Sequence, residues 1–109
     1  MKQEFGTPFN ATVTGSTSAT ASKGAVVGTR YFVTQISVSS DKPGATCQVK
    51  DGANIIWQNI VNGATATTVF PYNEHFDPPL TCTSGATAIV TVDGAASCAA
   101  NINGFSNNS

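Results

Sequence analysis

The sequence predicts an all-β fold: an antiparallel β-sandwich of about eight short strands, jelly-roll-like, with an extended N-terminal arm. Three observations predict it. Composition comes first: the 109 residues include 15 Thr, 14 Ala, 10 Val, 10 Ser and 9 Asn, but one Leu, one Met, two Glu and one Arg. Strong helix formers other than Ala are nearly missing while β-branched residues abound. The second is alternation of apolar and polar positions in short runs. The third is punctuation, with glycines at 15, 24, 28, 44, 52, 63, 85, 94 and 104, many of them separated by the 8–12 residues typical of sandwich turns.

Residues 1–10 read as the arm, in which Phe5 and Phe9 sit among Gly6, Pro8 and polar residues. Such a segment either frays or docks its aromatics on a neighbouring subunit. The sandwich domain follows over 11–106. Residues 11–20 suit an edge strand and 21–28 a loop. Residues 30–39 form the best strand, with Phe32, Thr34, Ile36 and Val38 on one face and Tyr31, Val33, Gln35 and Ser37 on the other. Asp41-Lys42-Pro43-Gly44 is a turn. Residues 45–50 place Cys47 and Val49 together, and Asp51-Gly52 turns the chain into a strand over 54–60. There Ile55, Trp57 and Asn59 oppose Ile56, Gln58 and Ile60. Asn62-Gly63 turns again, and 65–70 read as a strand.

Residues 71–79, PYNEHFDPP, read as the one long irregular stretch, because three prolines forbid a central strand. Strands resume over 80–84 and 88–92, where Ile89 and Thr91 oppose Val90 and Val92. After the Asp93-Gly94 turn, residues 98–105 close the chain with Cys98, Ala100 and Ile102 on one face.

Charge and core narrow the function. Net charge is −1 and charged residues are 10% of the chain, against roughly 25% in an average globular protein. No basic cluster is present to neutralise phosphates, so nucleic-acid binding is not expected. No apolar run reaches the roughly 18 residues of a membrane span, and none follows Lys2 as a secretory leader would require. Leu, Ile, Val and Phe make up only 23 of the 109 residues. So lean a core points to help from oligomerisation.

The candidate chemistry is sparse. Cys47, Cys82 and Cys98 are an odd set with no CxxC spacing, and the lone His75 completes no zinc site. Free, buried thiols are favoured over one disulfide with a thiol left over. Glu74, His75 and Asp77 form the densest polar cluster, but neighbours in a loop rarely converge on one point. Tyr72 and Phe76 read as plugs beneath that loop, and Trp57 as core or subunit contact. No catalytic, cofactor-binding or metal-binding residue is assigned, and no enzymatic activity is expected.

Four segments carry a family resemblance: GTRYFVTQISVSS at Gly28–Ser40, QVKDGANIIWQ at Gln48–Gln58, FDPPL at Phe76–Leu80 and CAANINGF at Cys98–Phe105. Together they resemble the small β-sandwich virion proteins of tailed bacteriophages, of the capsid decoration (cement) type. The PYNEH stretch before FDPPL departs from the shorter link expected there. The resemblance implies a structural subunit without cofactor, made in the host cytoplasm and seated on the virion. It further implies a homo-oligomer, a trimer by preference, bound to the major capsid protein or to a tail component. Phe5, Phe9 and Trp57 are then the expected contacts. The alternative is a tail-fibre or receptor-binding module for host surface glycan, using Tyr72, His75 and Phe76.

Overall fold

The computed structural model describes residues 6–63 and 70–108. Eight strands run in order: β1 (Thr7–Gly15), β2 (Ser18–Lys23), β3 (Thr29–Ser40), β4 (Thr46–Asp51), β5 (Asn54–Ile60), β6 (Phe70–Thr81), β7 (Ala88–Asp93) and β8 (Cys98–Asn108). They form two antiparallel four-stranded sheets, β1-β8-β3-β6 and β2-β7-β4-β5. Every consecutive pair except β4-β5 switches sheet, which is the jelly-roll connectivity.

The core lies between the sheets, and strict alternation builds much of it. Cys47, Val49 and Asp51 point inward from β4, Ala88, Val90 and Val92 from β7, and Cys98, Ala100 and Ile102 from β8. These are the faces that the sequence pattern predicts, except that Asp51, expected in the turn, ends β4 and is buried.

β3 departs from its pattern for a local reason. Its register against both neighbours shifts between Val33 and Gln35, so Thr34 is an extra residue facing β8. The bulge reverses the alternation. Tyr31 and Val33 before it therefore share the inner face with Ile36, Val38 and Ser40 after it, where unbroken alternation sets Tyr31 and Val33 against Ile36 and Val38. A similar bulge in β5 leaves Ile56 as the extra residue between Trp57, which pairs with Val49, and Ile55, which pairs with Lys50.

Three further expectations are corrected. The arm expected over 1–10 gives way at Thr7, since residues 7–10 belong to β1 and pair with β8. The reason is Phe9, which is 9% exposed and packs edge-on against Tyr31 with ring centroids 5.2 Å apart. Next, the single strand expected over 11–20 is two strands in different sheets, broken at Ser16–Thr17. Finally, residues 71–79 are not a loop but most of β6. Their prolines are tolerated because β6 is an edge strand, and because residues 76–79 bulge out between the Gln35–His75 and Val33–Leu80 pairs. The Asp77–Pro78 bond there is cis. Of the strand expected over 65–70, residues 64–69 lie outside the described residues.

Hydrogen bonds hold the turns at each end. At one end the Asp41 carboxylate accepts the backbone N–H groups of Ala95, Ala96 and Ser97 at 2.9–3.1 Å, fixing the β7–β8 turn. Nearby, the buried Asn62 amide donates to the carbonyls of Ser40 and Lys42, each at 3.1 Å. At the other end Asp51 accepts the Thr83 N–H at 2.9 Å and its hydroxyl at 2.7 Å, and the Tyr31 hydroxyl donates to the Gly24 carbonyl at 2.6 Å.

Two outcomes follow. Phe9→Ala removes the ring that covers Tyr31 and should lower stability by about 3 kcal/mol in chemical denaturation; an unchanged midpoint would place residues 7–10 outside the cooperative fold. Asp41 supplies an acid-sensitive contribution. Its backbone hydrogen bonds, those to Ala96 first, hold its pKa below the ordinary aspartate value. The stability this contributes is therefore complete above the unfolded-state pKa and lost as pH falls through the folded one. Asp41→Asn should flatten the acid limb of a stability–pH curve below about pH 4; a limb as steep as the parent's would remove Asp41 from it.

Candidate functional site

Two surfaces stand out once the strands are paired: the edge formed by β5 and β6, and the outer face of the β1-β8-β3-β6 sheet.

The β5–β6 edge is closed by aromatic rings from opposite sheets. Trp57 lies one residue past the β5 bulge, with its side chain on the inner side. It meets Phe76 edge-on at a centroid distance of 5.4 Å and Tyr72 at 6.5 Å. Below them the Asn59 amide donates to the Tyr72 hydroxyl, which donates to Glu74 Oε1, both at 2.9 Å. Burial pushes the Tyr72 phenol above its ordinary pKa, and the Glu74 carboxylate adds to the shift. Trp57, Tyr72 and Phe76 are all half-buried. The seam thus joins the sheets where β5 and β6 leave the sandwich open.

Outside that seam, no second strand pairs with the far edge of β5 among the described residues, and the Asn59 side-chain oxygen accepts the Ile60 N–H at 2.9 Å. β1 carries Pro8, β2 carries Lys23, and β6 carries Pro71, Pro78 and Pro79, all residues that discourage a further strand from pairing. Among the described residues β5 is the edge strand with neither proline nor charge: its sequence is NIIWQNI. It also exposes large apolar side chains on the outer face of its sheet, Ile55 at 51% and Ile60 at 64%.

The remaining sequence candidates separate. Glu74 turns inward toward Tyr72 while His75 and Asp77 turn out to solvent, so the polar cluster does not converge. Tyr72 and Phe76 face Trp57, whereas His75 faces away; the three do not make one surface. Phe9 belongs to the core, and Phe5 lies outside the described residues. Among the described residues no three of His, Cys, Asp and Glu come together as metal ligands would.

The outer face of the β1-β8-β3-β6 sheet is a surface that sequence reasoning missed. Pairing across four strands brings Thr12, Asn101, Ser37 and Asn73 into one row. The next row is Asn10, Asn103, Gln35 and His75. Asparagines at alternate positions of NINGF on β8 were the local signal, but their partners come from distant parts of the chain. A run of side-chain hydrogen bonds crosses the face: Asn10 donates to Asn103, Asn103 to Asn101, and Asn101 to Thr12. A shallow hollow of about 220 Å³ opens beside it, between β8, β3 and β6.

No protein-family model matches this chain, and no curated protein matches its sequence.

The three thiols are free and buried, the favoured expectation from the sequence. Burial pushes Cys47 up to about 12 and Cys82 to about 11, the nearby Asp51 adding to the latter. Thiolate, the reactive form, is therefore scarce at neutral pH. A disulfide-exchange reagent at pH 8 should leave the native protein unlabelled and label all three cysteines in denaturant; rapid native labelling would contradict their burial. Because these folded-state values are raised, the associated stability is complete below the unfolded thiol value and falls as pH rises toward 11–12.

Proposed function

We propose that this chain is a structural virion protein, a decoration subunit that binds the major capsid protein of a tailed phage and stabilises the head as a homo-oligomer. The observation that carries the reading is the β5 edge, which pairs with no further strand among the described residues, carries neither proline nor charge and displays Ile55 and Ile60. A long-lived soluble protein that leaves such an edge uncovered risks uncontrolled strand pairing. An assembly subunit instead buries it against a neighbour. The lean core supports the same reading, since burial at subunit contacts adds stability that a thin sandwich lacks. So does the resemblance of Gly28–Ser40, Gln48–Gln58, Phe76–Leu80 and Cys98–Phe105 to phage decoration proteins.

In this reading Trp57 acts indirectly. Locked on Tyr72 and Phe76, it stiffens β5 as a docking strand, while Ile55 and Ile60 make the contact. Val26 and Val27, 51% and 97% exposed at the tip of the β2–β3 loop, offer a second apolar contact at one end of the sandwich. A trimer seated where capsid subunits meet would use both.

The test is mass in solution by light scattering, followed by titration onto purified heads that lack the protein. The parent should form a defined oligomer, a trimer by preference, and saturate the heads at fixed stoichiometry. The double variant Ile55→Lys, Ile60→Lys should stay folded by circular dichroism yet dissociate to monomer and lose head binding. A parent that is monomeric and ignores heads would sink the proposal.

A further inference from the structure

We infer that the outer face of the β1-β8-β3-β6 sheet holds a binding subsite for a neutral saccharide, one pyranose ring seated in the hollow between β8, β3 and β6. The inference stands independently of the assembly role, which uses the opposite sheet.

The hollow is lined by Thr12, Ser37, Ser39, Pro71, Ala99 and Asn101, and its surface is almost wholly carbon. It exists because β8 places Ala99 between Ser39 and Thr14 in the register, so side chains there are too short to level the sheet. At about 220 Å³ it is smaller than the roughly 300–1,000 Å³ of sites for drug-sized ligands. It suits one ring and not an extended chain.

The rim decides the chemistry. Of the lining residues, Asn101 and Thr12 are held by a relay in which Asn10 donates to Asn103, Asn103 to Asn101 and Asn101 to Thr12. Each amide nitrogen in that relay spends one N–H on its neighbour and keeps a second N–H. Thr12 accepts from Asn101, which leaves its own hydroxyl proton to donate. Asn73, exposed on the neighbouring strand, pairs with Ser37 of the lining. Fixed donors and acceptors beside an apolar floor match a sugar, which offers hydroxyls at its edge and C–H groups on its face. Holding the rim in place before binding removes much of the ordering cost.

Other ligand classes fit worse. The rows that frame the hollow contain no Lys, Arg, Asp or Glu, so a phosphate or carboxylate would be desolvated with no counter-charge. A wholly apolar ligand would cover the rim amides and leave their hydrogen bonds unmade.

The test is a titration of ¹⁵N-labelled protein, followed by amide shifts. The probes are the methyl glycosides of glucose, galactose, mannose and N-acetylglucosamine, with glucuronate and glucosamine as charged comparisons. At least one neutral glycoside should move the amides of Ser37, Ser39, Ala99 and Asn101 with saturable, millimolar affinity, and the charged sugars should not. Ala99→Trp fills the hollow and should abolish the response; Ser39→Trp fills it from β3 should the first variant fail to fold. Asn101→Ala should weaken binding by about tenfold. The inference is overturned if no neutral glycoside moves these amides, if the shifts map to β5, or if charged sugars bind equally. It is also overturned if the same amides shift with protein concentration alone, which would make a second copy the occupant. The Ile55→Lys, Ile60→Lys variant should keep the full sugar response, which separates failure of this site from failure of the assembly role.

Discussion

Everything in this sandwich is referred to one strand, β3, and to the single bulge within it. β3 pairs with β8 on one side and β6 on the other, and both ladders shift register at the same point, between Val33 and Gln35. Without the extra residue at Thr34, either Tyr31 and Val33 or Ile36 and Val38 would face solvent. With it, all four are buried. The consequences spread outward. Tyr31 receives Phe9 from β1 and ties its hydroxyl to the β2–β3 loop. Phe32, on the outer face, stacks on Phe105 at 4.8 Å. Thr34 donates to the Asn103 carbonyl and so fixes the bulge against β8.

Close approach makes the same region intolerant of change. A Cβ on Gly104 would lie 2.0 Å from the Phe32 carbonyl oxygen and 2.9 Å from the Phe9 ring. Glycine is required there because β8 must come near β3 where the bulge begins and Phe9 must fit over it. The missing side chain of Gly104 thus permits the aromatic packing that binds β1 to the sheet. That packing is why the first strand starts as early as Thr7.

What could be read from the chain and what could not divides along physical lines. Alternation is a reliable signal wherever strands are regular, so the buried faces of β4, β7 and β8 were legible residue by residue. It fails at a bulge, since nothing in TQI or IIW announces an extra residue; the inner faces of β3 and β5 were therefore misread past Thr34 and Ile56. Prolines mark what a segment cannot be, a central strand, but not what it is. PYNEHFDPP can pair because its prolines fall on an edge or in the 76–79 excursion. Phe9 looked like an arm residue because its partners, Tyr31 and Gly104, are remote in sequence. The hollow was invisible for the same reason, being defined by rows drawn from four strands. The arrangement into two sheets was legible only as a class, because register and sheet order are non-local.

The two open surfaces differ in the physics that would satisfy them. On β5 the backbone edge pairs with no further strand among the described residues, apart from the Ile60 N–H that Asn59 Oδ1 accepts, and Ile55 and Ile60 expose apolar surface. Only another polypeptide meets both demands, by adding a strand or laying a surface along it. On the outer face of the other sheet the backbone is already paired, and the unmet groups are side-chain amides and hydroxyls held in fixed places. A polypeptide edge has nothing to pair with there, whereas a ligand bearing hydroxyls does. The seam of Trp57, Tyr72 and Phe76 stands at the β5–β6 edge, where the two sheets meet. It bridges the sheets, so under the proposed assembly role a partner covering β5 would leave the far face exposed to the medium. Under the proposed role, binding through one sheet would leave the other free to meet a second, chemically different surface.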